Sequence, residues 1–224
     1  MVLDNKELVK IEKKYFFILK KLLEEHLGEI INQLYSQANI PLYPSGISNP
    51  IQKGAQNIIE GIIDRYQGWN IASMGSSSDS CFEVGDGILH LEVKTIKKSD
   101  GDFKAKRIAL QKNQSSYCSR KNYIVKGKGW SANLRHYEKH TRFGQIPNLT
   151  YAVRITYSKN NLIEEIAFMS IPNGQFSSTF GAAILYPGKN IGKGKLRPNI
   201  RFKMDAVTAK PGHMWRYNVI YQRK

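Results

Sequence analysis

Asp79-Ser-Cys-Phe-Glu-Val-Gly-Asp-Gly-Ile-Leu-His-Leu-Glu-Val-Lys94 is the stretch on which the reading of this chain turns. It has the pattern of a β-hairpin, two alternating runs around Gly85-Asp86. Successive strand side chains point to opposite faces, so Phe82 and Val84 share one face, and Asp79, Cys81 and Glu83 the other. On the second strand Leu89, Leu91 and Val93 lie together, and His90, Glu92 and Lys94 lie opposite them. A two-residue loop at Gly85-Asp86, the Gly-X signal of a type II′ turn, pairs Val84 with Gly87 and Phe82 with Leu89, apolar face to apolar face. The same register sets Asp79 across from Glu92, with Cβ atoms about 4.5–5.5 Å apart. Carboxylates that close repel one another unless a cation compensates, and a hard ion with oxygen ligands, Mg²⁺ above all, does so. Asp86 lies at the turn, roughly 20 Å along the strand from Glu92, and is excluded as a ligand. Lys94 shares the face of Glu92. Beside a metal and a phosphodiester its ammonium stabilises developing negative charge or positions an attacking water. The Val93 backbone carbonyl is a further candidate ligand. The plainer alternative is a solvated sheet face with an ordinary Glu/Lys pair, because Glu-x-Lys alone is a common pattern.

With Asp79 at the matching register, Glu92-Val93-Lys94-Thr95 resembles the core of the PD-(D/E)xK nuclease superfamily, and within it many type II restriction endonucleases. The resemblance covers about residues 50 to 95. It departs from the family pattern at Ser78, where a proline often stands. It implies an α/β fold with a mixed central β-sheet flanked by helices. It also implies Mg²⁺-dependent hydrolysis of DNA, with Asp79 and Glu92 as ligands, Lys94 beside the attacking water, and 5′-phosphate and 3′-hydroxyl products.

The segment before the hairpin has the order that such a core requires. Asn49-Pro50 reads as N-cap and first helical residue. Ile51, Ala55, Ile58, Ile59, Ile62, Ile63 and Tyr66 recur at helical spacing, and Gly68 suits the stop. Gln56 and Glu60 occupy the polar side of this helix, one turn apart. In related enzymes a side chain from this helix assists the metal site, which makes Glu60 the better candidate of the two. A solvated helix face explains either residue as well.

Composition narrows the partners. The chain has 224 residues, enough for a full core, and an apolar content of 41%, near that of globular proteins. Its net charge of +16, from 34 Lys+Arg against 18 Asp+Glu, favours a polyanion, nucleic acid ahead of a membrane surface, and the resemblance makes double-stranded DNA the expected partner. No apolar run is long enough to span a bilayer, and Asp4, Lys6 and Glu7 stand where a signal peptide needs apolar residues. Two cysteines, Cys81 and Cys118, are too few for a disulfide framework and read as reduced thiols, so a cytoplasmic protein is expected. No phosphate-binding loop or dinucleotide fingerprint occurs, so no nucleotide cofactor is expected.

Residues 1–46 read as an N-terminal helical region for core packing or dimerisation, and 47–224 as the core with its recognition loops. Leu8, Ile11, Tyr15, Ile18 and Leu22, continued by Leu27, Ile30, Ile31 and Leu34, predict one long helix over about 4 to 37, with a phase shift at Gly28. Pro41, Pro44, Ser45 and Gly46 mark a linker. A helix is expected from Phe103 to about Arg120, a short core strand at Tyr123–Val125, and a hairpin of Tyr151–Tyr157 with Leu162–Ser170. Two basic, glycine-containing loops are the candidates for DNA contacts. The first carries Lys126, Lys128, Asn133 and Arg135, and the second Lys189, Asn190, Lys193, Lys195 and Arg197. Lysines would sit mainly on phosphates, with Asn133, Arg135 or Arg197 on base edges. A solvated loop charge is the competing reading at each position. His136 and His140 are four apart but lack the partners of a zinc site. All five histidines are left outside the catalytic set.

Three readings follow. The first is a homodimeric type II restriction endonuclease cutting a short palindrome, with two-fold protein symmetry matched to the DNA. The second is another nuclease of the superfamily, such as a Holliday junction resolvase or a repair nuclease. The third is a non-catalytic basic nucleic-acid-binding protein. The length of the C-terminal half favours the first, because resolvases are commonly smaller.

Overall fold

In a computed structural model, residues 3–38, 50–72, 80–117, 123–125, 128–140, 142–187 and 199–224 are described. Helices α1 (Asn5–Glu25), α2 (Leu27–Ala38) and α3 (Pro50–Gln67) come first, then strands β1 (Asn70–Ile71), β2 (Ser80–Val84) and β3 (Gly87–Lys97). A single helical turn, α4 (Gly101–Lys104), leads to β4 (Arg107–Gln111), β5 (Tyr123–Val125), β6 (Lys128–Trp130) and β7 (Tyr137–His140). The long strands β8 (Gly144–Tyr157) and β9 (Ile163–Ile171) are followed by the short helix α5 (Ser177–Phe180) and by β10 (Leu185–Pro187), β11 (Asn199–Lys203) and β12 (Tyr217–Gln222).

The main sheet runs β1-β2-β3-β8-β9-β12, with β7 also on β8. It is mixed, because β3 and β8 run parallel while β2 pairs β3, and β9 pairs β8, antiparallel. The hairpin takes the register that its apolar alternation demands: Val84 faces Gly87, Phe82 faces Leu89 and Ser80 faces Leu91. Asp79, one residue further, lies outside the described residues.

Helices cover one face of this sheet. Phe16 of α1 stacks on Phe168 of β9 with ring centroids 4.8 Å apart, and the Tyr151 hydroxyl donates to the Glu12 carbonyl at 2.8 Å. Trp69 sets its edge against both Tyr15 and Phe82, which seals the hairpin under α1. The expected single N-terminal helix is two helices. The chain breaks at His26 (φ −105°, ψ 17°), ahead of Gly28. The break lets α2 pack on α3, where His26 stacks on Tyr66 at 3.8 Å and Glu29 accepts from Arg65 at 2.8 Å. At the other end, Gly68 takes φ +56° and stops α3 where the sequence placed the stop.

The opposite face carries a smaller sheet, β10-β11-β4. The fully buried Arg154 of β8 joins the two layers: it donates to the Arg107 carbonyl at 3.2 Å, pairs with Glu165 at 2.6 Å, and lies 5.6 Å from the Phe103 ring. The helix expected from Phe103 to about Arg120 is instead α4 and then strand β4. Ile108 and Leu110 are buried at period two against β11, and Lys106 at φ +47° ends the helical turn. The Tyr123–Val125 strand forms, but in a two-stranded ribbon with β6 and not in the main sheet.

A buried polar knot closes the ends of the chain onto the core. Glu12 of α1 and Arg216, both almost fully enclosed, form an ion pair. The Glu12 carboxylate also accepts the Asn173 amide at 2.8 Å, while Arg216 donates to Ser170 at 3.0 Å and to His213 Nδ1 at 2.9 Å. Burial, aided by the guanidinium, pushes the His213 pKa down to about 4, so the ring is neutral and can accept that bond. Removing one partner from such a pair strands a buried charge and costs about 3–5 kcal/mol.

Gly174 is sterically enforced next to this knot. A Cβ there would lie 2.1 Å from His136 Nε2 and 2.2 Å from the Ser116 carbonyl. We expect Gly174→Ala to lower the unfolding free energy by about 3 kcal/mol, measured by urea denaturation. Unchanged stability would contradict this packing.

Candidate active site

The central position of β3 decides the environment of its polar residues. The strand lies between β2 and β8, with Glu92 beside Ala152 and Lys94 beside Arg154. His90, Glu92 and Lys94 therefore emerge on the face away from α1 and α3. The Glu92 side chain is fully buried, and Lys94, one-quarter exposed, donates to its Oε2 at 2.6 Å. A carboxylate withdrawn from water costs several kcal/mol unless it is paired, so the ammonium beside it is a requirement of the burial. Val93 points the other way into the helix layer, which fixes the strand.

His90, also fully buried, meets Asn148 Oδ1 through Nε2 at 2.9 Å. Burial lowers its pKa, partly offset by that hydrogen bond, so the ring is neutral near pH 7. Asn148 in turn donates through Nδ2 to the Arg135 carbonyl at 3.0 Å and to Glu138 Oε1 at 3.2 Å. The main chain repeats the tie: Asn148 N donates to the His136 carbonyl, and Asn173 Nδ2 donates to the carbonyls of His136 and Asn148, each at 2.9 Å. Residues 132–136 thereby form a clamped, bent loop segment leading into β7. Ala132, Leu134 and His136 are buried, and Asn133 and Arg135 are exposed between them.

The hairpin turn is pinned on the helix side. Asp86 accepts from the Tyr15 hydroxyl and from Lys14 at 2.9 Å. Glu83 pairs with His140 Nε2 at 2.7 Å, while His140 Nδ1 accepts the backbone N–H groups of Arg142 and Phe143 at 3.0 and 3.2 Å. Nε2 therefore carries the proton. His140 ends a β-strand, so the four-residue spacing from His136 does not set the two rings on a helix face.

Glu60 is half-buried on α3, the layer against the opposite face of the sheet, and no hydrogen bond or ion pair among the described residues joins it to Glu92 or Lys94. Lys126, Lys189, Asn190, Lys193, Lys195 and Arg197 lie outside the described residues, and Lys128 is described only through its backbone pairing with Val125. Among the described residues no three His, Cys, Asp or Glu side chains converge as a metal site. Glu92 and the Val93 carbonyl are nevertheless hard oxygen donors of the type that suits Mg²⁺. Cys81 is buried. Among the described residues no helix is long and apolar enough to cross a membrane.

A mixed sheet with a buried Glu-x-Lys on its central strand, clad by helices, is the fold of restriction endonucleases. The chain resembles the crystal structure of the restriction endonuclease BglI bound to its DNA recognition sequence, with a TM-score of 0.74 and 14% identity over 99% of this chain and 93% of that one. It is equally similar to the tetrameric restriction endonuclease SfiI bound to cognate DNA, with a TM-score of 0.74 and 14% identity over 99% of this chain and 87% of that one. No curated protein matches it in sequence. Residues 3–161 match the family described as the N-terminal domain of the type II restriction enzyme MwoI, and the chain belongs to that family.

The alternation in the 132–136 segment separates structural from surface positions. Leu134→Ala should cost about 2–4 kcal/mol of stability, whereas Asn133→Ala and Arg135→Ala should each change it by less than about 0.5 kcal/mol. Denaturant titration of the three variants checks this. Equal losses would mean that the exposed pair carries packing.

Proposed function

We propose that the chain is a sequence-specific type II restriction endonuclease that hydrolyses double-stranded DNA with Mg²⁺, leaving 5′-phosphate and 3′-hydroxyl ends. The observation that carries this reading is the buried Glu92 held at 2.6 Å by Lys94 on the central strand of a restriction-endonuclease fold. A solvated Glu/Lys pair would need no such burial. The net charge of +16 supports a polyanionic substrate.

In this reading Asp79, Glu92 and the Val93 carbonyl hold Mg²⁺, which supplies charge neutralisation at the phosphate and a water of lowered pKa. Lys94 donates hydrogen bonds to the attacking water or to the phosphate oxygens, and the Glu92 carboxylate fixes where its ammonium can reach. The water oxygen bonds to phosphorus and gives up a proton to solvent, the bond to the 3′ oxygen breaks, and that oxygen takes a proton from solvent. Glu60, on α3 behind the sheet, would act on this site only if α3 approached it in the DNA complex, and Glu60→Gln is otherwise expected to cleave near the wild-type rate. Asn133 and Arg135, with Asn190 and Arg197, read base edges, while Lys126, Lys128, Lys189, Lys193 and Lys195 engage phosphates. The active unit is a homodimer in the cytoplasm, since two strands must be cut at a two-fold symmetric site.

Lys94→Ala, Glu92→Gln and Asp79→Ala should each slow Mg²⁺-dependent cleavage by at least about 100-fold while keeping metal-free DNA binding within a few-fold. Gel-resolved cleavage rates and mobility shifts decide it. Cleavage at the wild-type rate in any of the three sinks that residue's assignment.

A further inference from the structure

Asn148 sits where three elements meet. Its side chain reaches His90 of β3 at 2.9 Å, the backbone of Arg135 at 3.0 Å and Glu138 of β7 at 3.2 Å, and neither it nor His90 has any exposed surface. On the parallel ladder Asn148 stands beside Ile88. His90 is therefore the next residue on that face of β3, and Glu92 the one after it. An aliphatic pair would fill the same place without desolvating polar groups, so the polar pair fixes geometry at an energetic cost. The bonds also have a direction. Asn148 Nδ2 is committed to the Arg135 carbonyl and to Glu138, which leaves Oδ1 to accept from His90 Nε2.

We propose that His90 and Asn148 are positioning residues that tie the exposed Asn133/Arg135 segment to the strand carrying Glu92 and Lys94, so that correct seating of that segment on DNA sets the catalytic strand. This rests on the reading of the chain as a site-specific nuclease and adds to it the route by which recognition reaches the chemistry. The segment cannot shift along its axis without moving the Arg135 carbonyl, and with it Asn148 and the His90 ring. The Asn173 clamps on the carbonyls of His136 and Asn148 hold the other side of the joint, so the displacement is not absorbed there.

The pair makes no contact with DNA in this scheme, so its loss must appear as lost discrimination and not as lost binding. The substrates are a duplex carrying the site defined by the fragment ends of wild-type digests, and duplexes with one base pair of that site changed. Single-turnover cleavage of each is compared for wild type, His90→Phe, His90→Gln and Asn148→Ala, together with melting temperature and metal-free Kd. His90→Phe and Asn148→Ala should lose about 10-fold of the cognate-to-altered rate ratio with Kd unchanged. His90→Gln, which keeps an amide donor at the reach of Nε2, should restore the ratio. If Asn148→Ala does not fold, the two His90 variants decide alone. A folded His90→Phe with the wild-type ratio overturns the inference, as does an equal loss on all duplexes that His90→Gln fails to rescue. A wild type that makes no Mg²⁺-dependent cut overturns the underlying reading, and this inference with it.

Discussion

The parallel ladder between β3 and β8, from Ile88 beside Asn148 to Lys97 beside Tyr157, is the constraint on which the rest of the molecule depends. A parallel strand pair needs a long crossover and is stable only when both faces are covered. Here α1 and α3 cover one face, and the smaller sheet, joined through Arg154, covers much of the other. The ladder also fixes which β3 residues face the helices and which do not. Sliding β3 by one residue would send Leu89, Leu91 and Val93 to the polar side and turn His90, Glu92 and Lys94 under α3. Site and core are thus two consequences of one register.

Charge inside this protein is arranged in pairs with distinct tasks. Glu12 with Arg216 closes the first helix onto the end of the chain, and Glu165 of β9 holds Arg154 of β8, whose guanidinium reaches the Arg107 carbonyl of the smaller sheet. Each partner is enclosed, and Glu12 and Arg216 gain further hydrogen bonds from Asn173, Ser170 and His213, as a structural ion pair requires. Glu92 with Lys94 differs, because one member is wholly buried and the other opens toward solvent. An enclosed carboxylate beside a partly exposed ammonium is suited to meeting a phosphate that arrives from outside.

The sequence made the hairpin legible down to its register, because the alternation of Phe82, Val84, Leu89 and Leu91 allows only some registers and a two-residue loop at Gly85-Asp86 gives one of them. The start and stop of α3 and the β8–β9 hairpin were equally visible, through Pro50, Gly68 and the turn at Lys159–Asn161. Less visible was anything set by distant partners. The break at His26 follows from packing on α3, and β4 follows from pairing with β11, about ninety residues away. The Asn148 and Asn173 clamps had no local signal, since Asn173 reaches 161 residues back to Glu12. Single asparagines in strands and turns carry no pattern that periodicity detects. The expectation that Asp79 faces Glu92 falls on a residue outside those described.

The Glu92–Lys94 site is expected to work with a divalent metal on DNA. The most direct measurement is incubation of a long linear duplex with the protein in Mg²⁺ or in EDTA, followed by fragment sizing and end sequencing. Discrete fragments only in Mg²⁺, with 5′-phosphate and 3′-hydroxyl ends at one short symmetric sequence, are the predicted result. Intact DNA in Mg²⁺ under conditions of demonstrated binding would contradict it.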